Sequence, residues 1–272
     1  HPGRNGHVRV GWGDRLRGMK NILRAFIFAT GFLTRIPVPS VSHPPRVRGL
    51  AVGWFPLVGL LLGSGLALAH WTLREPLHAA PHLLWAVVLV GLHAFMTGGL
   101  HLDGLADTVD GLGGGRGDRE RVLTIMRDSH IGSFGAIALS LTLMTKVLAL
   151  HEVLRSQHAV RLLLAFPVVA RFAGSLLVVL FPYARTEGLG RDFHDHSGWR
   201  EILMAAVLTA PVMVVAGIEA VIPTAVGMAL ALLIGLWLWR RLNGLTGDIY
   251  GAAIELAELA FLFTVAVPGL IR

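Results

Sequence analysis

The chain is 272 residues long, and 54% of its residues are hydrophobic whereas only 15% are charged. Soluble domains carry about 25% charged residues, so this composition excludes an ordinary water-soluble globule and predicts a membrane protein. The net charge of +7 comes from basic residues that lie between apolar runs, a distribution that does not indicate nucleic-acid binding. The absence of cysteine excludes disulfides, zinc–thiolate sites and thiol nucleophiles.

The amino-terminal part of the chain is polar and then becomes apolar. Residues 1–19 are rich in glycine and charge, and we interpret them as an extension that precedes a single transmembrane catalytic domain of residues 20–272. Residues 21–36 are apolar but contain Arg24 and Arg35 and are followed by Pro37. This pattern predicts an N-terminal interfacial or re-entrant helix rather than a full crossing.

Seven apolar runs follow, each near the roughly 20 residues that a crossing helix needs. They are residues 49–70, 83–100, 132–150, 161–181, 202–218, 225–239 and 251–270. The segments on the amino-terminal side of the membrane would carry 18 Lys and Arg residues, and those on the other side only 4. Because cytoplasmic loops hold the excess of positive charge, the sequence predicts an all-α, polytopic helical bundle of about seven transmembrane helices with its amino end in the cytoplasm.

The densest acidic stretch of the chain is residues 98–115. Asp103, Asp107 and Asp110 stand at positions i, i+4 and i+7, so a helix places them on one narrow stripe. Three carboxylates this close repel one another unless a cation neutralises them, and carboxylate oxygens suit Mg²⁺. We expect the neighbouring Gly104 and Gly111 to let a diphosphate approach the backbone. A solvated acidic helix end is the alternative. His101 lies about 160° from the stripe and is expected to pack.

The loop after this stretch is basic. Arginine recognises phosphate with a planar fork, so Arg127, Asp128 and Ser129, which precede the next apolar run, are candidate substrate-binding residues. Charges that only orient the chain in the membrane are the alternative. A later loop contains the His194–His196 triplet HDH, for which a solvated loop is a better interpretation than a metal site.

A second acidic group opens the last apolar run. Asp248 and Glu255 are seven residues apart, and Glu258 lies about 60° further round a helix. Acidic residues inside an apolar segment point to a function. Pairing with the intramembrane cations Lys146 or Arg171 is the alternative.

Five segments together resemble one family. HLDGLADTVDG, FLTRIPVP, GWFPLVG, RDSHIGSFGA and LTGDIYGAAIELAE are similar to the cobalamin synthase (adenosylcobinamide-GDP ribazoletransferase) family, and they span residues 32–258 in the expected order. The resemblance implies a multi-pass enzyme of the bacterial inner membrane that uses Mg²⁺. It would join adenosylcobinamide-GDP to α-ribazole or its 5′-phosphate and release GMP. A homo-oligomer or an association with other cobalamin-assembly enzymes is left open.

Combining the acidic stripe with the resemblance gives a hypothesis about roles. We expect Asp103 and Asp107 to hold Mg²⁺ against the diphosphate, with Asp110 as a further ligand. Asp110 is also the expected catalytic base for the 5′-hydroxyl of α-ribazole, with Glu255 as the alternative base.

Two further roles complete the hypothesis. Arg127 would steady a phosphoryl oxygen, and Asp248 with Glu258 would complete a second metal site. A different Asp-rich intramembrane transferase, either a CDP-alcohol phosphotransferase or a prenyltransferase, remains the alternative function. A secondary transporter fits less well, because its binding groups lie near mid-bilayer whereas these acids gather at one edge.

Overall fold

The computed structural model describes residues 12–40, 42–74 and 81–267, and it describes side chains from residue 18 onward except that of residue 74. The backbone of these residues forms helices and one isolated β-bridge, with no β-strand. This confirms the predicted all-α class. The helices are α1 (Trp12–Leu33), α2 (Pro45–Ala51), α3 (Phe55–Arg74), α4 (His82–Thr97), α5 (Leu100–Gly115), α6 (Arg119–Ile125), α7 (Ser133–Arg155), α8 (Ala159–Leu180), α9 (Leu189–Asp195), α10 (Trp199–Ala216), α11 (Val221–Leu242) and α12 (Gly247–Ala266).

The number of span-like helices agrees with the sequence. Six helical stretches among the described residues are long and apolar enough to cross a membrane, and α4 with α5 adds a seventh if this pair, bent by 88°, forms one broken span. The six stretches are Pro45–Leu73, Ser133–Arg155, Ala159–Leu180, Trp199–Ala216, Ile218–Leu242 and Gly247–Ala266. The expectation of about seven transmembrane helices is confirmed by length and composition. The predicted run 83–100 is interrupted, because its helix ends at Thr97.

The amino-terminal helix α1 runs unbroken from Trp12 to Leu33, so it lacks the reversal of direction that a re-entrant segment needs. Its helical residues begin inside the segment that we interpreted as a polar extension. Arg24 and the exposed Lys20 keep it outside the group of span-like helices, which is consistent with an interfacial position.

The centre of the bundle is α8, which packs most extensively against α3 and α12. Glycines allow the closest of these approaches. A Cβ on Gly59 would lie 2.5 Å from the carbonyl oxygen of Pro167, and one on Gly63 would lie 2.8 Å from that of Leu163. Small residues at helix contacts are typical of membrane bundles, where tight packing replaces the hydrophobic effect between helices.

The loop after α8 is tied to the loop before α12. The Ala184 amide donates to the Leu245 carbonyl, and the Leu245 amide donates to the Pro182 carbonyl, each over 2.8 Å. Gly244 makes this approach possible, since it has a positive φ of 152° and a Cβ there would lie 2.7 Å from the Ala184 backbone. These two hydrogen bonds hold the loop after α8 beside the start of α12.

Candidate active site

The bend between α4 and α5 determines where the acidic stripe lies. Gly98 and Gly99 both adopt the left-handed region, with φ of 65° and 72°, which glycine reaches without steric cost. The Arg35 amide donates to the Met96 carbonyl over 2.8 Å, and the Arg35 side chain fills the space where Gly98 lacks a Cβ. Because of the bend, α5 begins as a separate helix, and Asp103 lies in its first turn.

Two cavities meet at the start of α5. The first, which we call the aromatic cavity, has a volume of about 320 Å³. The second, the polar cavity, has a volume of about 650 Å³. Both are lined by Phe32, Leu100 and Asp103. Asp103 is therefore placed where groups bound in the two cavities would come together.

The linings of the two cavities differ in chemistry. The aromatic cavity is lined by five aromatic side chains together with Asp248 and Arg185, and the five are Phe32, Phe55, Tyr183, Phe193 and Tyr250. The polar cavity is lined by Arg35, Asp107 and Ser129 and by the backbone at the Gly98–Gly99 bend. This combination offers a guanidinium, a hydroxyl and carboxylates to one ligand.

The carboxylates of the stripe do not share one environment. Asp103 is exposed and Asp107 is half-buried, and no described residue donates a hydrogen bond to either carboxylate. Asp107 lies within electrostatic range of Asp103, Asp248 and Asp110, with Arg185 as the opposing charge. Arg185 donates to Asp248 over 2.8 Å. The negative charge of Asp103 and Asp107 is therefore left for a bound cation to neutralise.

A magnesium ion fits part of the predicted ligand set. Within the described residues, no group of three or more His, Cys, Asp or Glu side chains is arranged to hold a metal ion. Mg²⁺ commonly binds to one or two carboxylates and completes its shell with water and substrate phosphate. Asp103 and Asp107 both line the polar cavity and are a donor set of this kind. The five-carboxylate set expected from the sequence does not come together.

Asp110 makes structural contacts with the start of α7, and its roles as base and metal ligand stay predictions. It is 8% exposed, and its two carboxylate oxygens accept the backbone N–H groups of Gly132 and Gly135, each over 2.8 Å. These amides belong to the start of α7, where a helix leaves its N–H groups unpaired and favours a negative charge. Asp110 therefore anchors α7 to α5, and each of its oxygens is used in this contact.

Replacing Asp110 with asparagine distinguishes the anchoring role from the predicted role as a base. The amide group of asparagine would face one of the two N–H donors, so we expect the free energy of unfolding to fall by about 1–3 kcal/mol. Turnover per folded molecule should persist, whereas loss of a general base would lower it about 100-fold or more. Thermal unfolding and an activity assay on the same folded preparation separate the two outcomes. A 100-fold loss in a protein of unchanged stability would contradict the anchoring role.

Glu255 and Glu258 lie in the bundle interior and not at the candidate site. They are 2% and 0% exposed. Lys146 Nζ donates to Glu255 over 2.5 Å and to Glu258 over 2.6 Å, and Arg171 pairs with the other oxygen of Glu258. We call these four residues the buried ion network. These ion pairs favour the alternative interpretation of pairing with Lys146 and Arg171, whereas Glu255 as a base and Glu258 as a metal ligand stay predictions.

The two glycines of the stripe lie at contacts between helices. A Cβ on Gly104 would lie 2.7 Å from the Asp248 carbonyl oxygen, and one on Gly111 would lie 2.5 Å from the Met126 side chain. The missing side chains thus let α5 pack against α12 and α6. At Gly111 this space is filled by Met126, and the expectation that the glycines let a diphosphate approach the backbone stays a prediction. Gly104 also lines the aromatic cavity, but the backbone of α12 occupies the space where its side chain would lie.

The basic loop contributes one of its three predicted residues to a cavity. Ser129 lines the polar cavity, whereas Arg127 and Asp128 are exposed and lie outside the lining of both cavities. The Asp128 carboxylate accepts from the His130 ring over 2.7 Å, and this hydrogen bond lowers the pKa of Asp128. The cation in the polar cavity is Arg35, from the segment FLTRIPVP.

The HDH triplet forms local contacts and no metal site. His194 Nδ1 lies 2.8 Å from the Val178 carbonyl oxygen, and Asp195 accepts from Arg191 over 3.1 Å. The sequence analysis missed the neighbouring Phe193, which is buried and lines the aromatic cavity, as well as Tyr183 and Arg185. No charge or spacing pattern distinguishes these three residues from ordinary loop residues.

Comparison with known proteins identifies the family. A family model described as cobalamin-5-phosphate synthase matches residues 25–266. The adenosylcobinamide-GDP ribazoletransferase of Thiobacillus denitrificans is 39% identical over 256 residues, which cover 90% of this chain and 96% of the relative. That of Desulfitobacterium hafniense is 41% identical over 256 residues, 88% of this chain and 95% of the relative. No solved structure gives a significant match. The chain therefore belongs to the cobalamin-5-phosphate synthase family.

Proposed function

We propose that this chain is a membrane-embedded transferase that joins adenosylcobinamide-GDP to α-ribazole, or to its 5′-phosphate, with release of GMP. The names of the curated relatives support the choice of substrates. The observation that carries the proposal is the position of Asp103 on the wall shared by two cavities. A two-substrate displacement needs this arrangement, since it must bring an alcohol and a phosphorus atom together.

The chemistry is a displacement at phosphorus. An O–P bond forms between a ribose hydroxyl and the phosphorus next to cobinamide, the P–O bond to the GMP oxygen breaks, and the hydroxyl proton leaves. Because the family is described by a 5-phosphate product, the 5′-oxygen of the acceptor cannot be the attacking group. The expected 5′-hydroxyl is therefore replaced by a secondary ribose hydroxyl, which both acceptors possess.

Magnesium belongs to the proposal through Asp103 and Asp107. These two carboxylates would hold the ion, which would supply positive charge to the diphosphate and the leaving group. Arg35, which lines the same cavity, would bind a phosphoryl oxygen through its guanidinium. The residues thereby align and neutralise the diphosphate, which phosphoryl transfer needs more than covalent help from the protein.

We assign Asp248, in place of Asp110 and Glu255, as the group that accepts the proton of the attacking hydroxyl. Its carboxylate lines the aromatic cavity and is half-buried, and it lies within electrostatic range of Asp107. Arg185 and the Thr246 hydroxyl hold it in place over 2.8 and 3.2 Å. Asp248 therefore keeps a place in the proposal as a proton acceptor and not as a second metal site.

The position of the enzyme in the cell is a further part of the proposal. The excess of Lys and Arg on the amino-terminal side supports a bacterial inner-membrane protein whose site faces the cytoplasm, where nucleotides are available. A homo-oligomer or a complex with other cobalamin-assembly enzymes stays a prediction.

The test is an assay of the purified protein in lipid nanodiscs. We expect GMP and a cobalamin product, identified by mass spectrometry, from adenosylcobinamide-GDP and α-ribazole when Mg²⁺ is present. Removing the metal with EDTA should abolish product, and added Mg²⁺ should restore it. A CDP-alcohol and a prenyl diphosphate serve as alternative donors. Turnover of either one, without a cobalamin product, would reject the proposal.

A further inference from the structure

The aromatic cavity has a lining that suits a flat ring. Phe193 lies with its ring centroid 5.1 Å from that of Phe32 and 5.7 Å from that of Phe55. On another part of the lining, the Tyr183 and Tyr250 rings are 6.4 Å apart and only 31° from parallel. Aromatic walls stack on planar ligands, and a volume of about 320 Å³ is within the range of small-molecule sites.

Three buried polar atoms in this lining have no hydrogen-bond partner among the described residues: His101 Nε2, Arg185 Nε and the Tyr250 hydroxyl, of which only the last is a hydroxyl. Tyr250 is 6% exposed, and its hydroxyl makes no hydrogen bond with any described residue. Buried hydroxyls are nearly always hydrogen-bonded, so an unpaired one at a cavity wall indicates a ligand atom. The phenol O–H can donate to an acceptor on a bound ring.

The two substrates of the proposed reaction carry different flat rings. Guanine presents N–H donors on its recognition edge, and carboxylates normally accept them. In this cavity Oδ2 of Asp248 accepts from Arg185, the proposed reaction uses this carboxylate as the proton acceptor, and Glu187 is exposed, so we assign no carboxylate to a guanine edge. The benzimidazole base of a ribazole has no N–H group once it is glycosylated, and it keeps one ring nitrogen as an acceptor. The Tyr250 hydroxyl complements this second ring.

We infer that the aromatic cavity binds the nucleoside acceptor, with its base among the aromatic rings and its ring nitrogen accepting from the Tyr250 hydroxyl. The polar cavity then receives the diphosphate of the donor, beside Arg35, Asp107 and Ser129. The sugar of the acceptor lies toward Asp103, on the shared wall. This inference rests on the proposed function and adds to it the assignment of each substrate to a cavity.

The test combines a protein change with a ligand change. Tyr250→Phe removes only the hydroxyl, and an otherwise identical indole riboside replaces the acceptor nitrogen with C–H. In the unmodified protein we expect the indole riboside to have a KM and a Kd roughly 3- to 10-fold higher than α-ribazole. In Tyr250→Phe this difference should disappear, and the KM for adenosylcobinamide-GDP should stay unchanged.

A control distinguishes a lost contact from a general loss of stability. Thr209→Val removes another buried hydroxyl, on α10, outside the lining of both cavities, and should preserve the preference for α-ribazole. A purely structural role for the Tyr250 hydroxyl would affect both acceptors equally in Tyr250→Phe.

Three results would overturn the inference. The preference for α-ribazole could persist in Tyr250→Phe, the preference could be absent in the unmodified protein, or Tyr250→Phe could raise the KM for adenosylcobinamide-GDP alone, which would place guanine in the cavity. Calorimetric Kd values for the two ribosides give the same comparison without turnover. Absence of product in the unmodified protein would therefore reject the proposed function, while the binding data would still decide the occupant of the cavity.

Discussion

Asp103→Asn is expected to lower turnover at least about 100-fold while the protein still folds and inserts. Asparagine has nearly the shape of aspartate but no charge, and Asp103 is exposed without a hydrogen-bonding partner among the described residues. The loss would therefore fall on the bound cation and diphosphate, whose charge stabilisation is worth several kcal/mol, at about 1.4 kcal/mol for each tenfold in rate. Initial rates over a range of Mg²⁺ concentrations would measure it.

The matched control for Asp103→Asn is Glu120→Gln. Glu120 is an exposed carboxylate on α6 that lines neither cavity, so its loss changes the net charge by the same amount without touching the site. Asp107→Asn should resemble Asp103→Asn and should raise the Mg²⁺ concentration needed for half-maximal rate. If Asp103→Asn and Asp107→Asn both retained more than half of the turnover, the assignment of these two residues as metal ligands would be rejected.

Breaking the buried ion network should have the largest effect on stability. In Lys146→Met, Glu255 stays buried but no cation donates a hydrogen bond to it. In Glu255→Leu, Lys146 loses one of its two carboxylate partners. Removing one member of a buried pair costs about 3–5 kcal/mol. The double variant Lys146→Met/Glu255→Leu leaves the Arg171–Glu258 pair and no unpaired charge. We therefore expect the double variant to be more stable than either single variant.

Thermal unfolding of the four proteins in the same lipid gives the coupling between Lys146 and Glu255 as a double-mutant cycle. Additive effects would contradict a direct pair. The same four proteins also test Glu255 as a base, because we expect the double variant to catalyse the reaction although it lacks Glu255. A folded double variant with no turnover would reinstate Glu255 in the chemistry.

Much of the fold could be predicted from hydropathy alone. Apolar runs of about 20 residues have few options in lipid, because backbone groups must be paired within the helix, and the structure contains them nearly where expected. The bend at Gly98–Gly99 was not predicted, since two glycines in an apolar run are also common in straight membrane helices. Only the contact with Arg35 distinguishes this pair as a turn.

The candidate site was predicted less completely. Helical spacing correctly gave one helix for Asp103, Asp107 and Asp110, but spacing cannot tell that the start of α7 lies against Asp110. For Glu255 and Glu258 the sequence offered both a catalytic and a paired interpretation, and the positions of Lys146 and Arg171 in space favour pairing. The aromatic cavity was missed because its lining comes from six helices and one loop that are far apart in the sequence.

The buried ion network also has a consequence for biogenesis. Lys146 and Arg171 lie on α7 and α8, whereas both of their acidic partners lie on α12. A ribosome delivers the chain amino end first, so the two cations enter the bilayer before any partner exists, and an unpaired charge there is costly. We therefore expect α7 and α8 to be stably integrated in the membrane only after α12 has been synthesised. A nascent chain that stops short of α12 should be a substrate for membrane quality-control proteases.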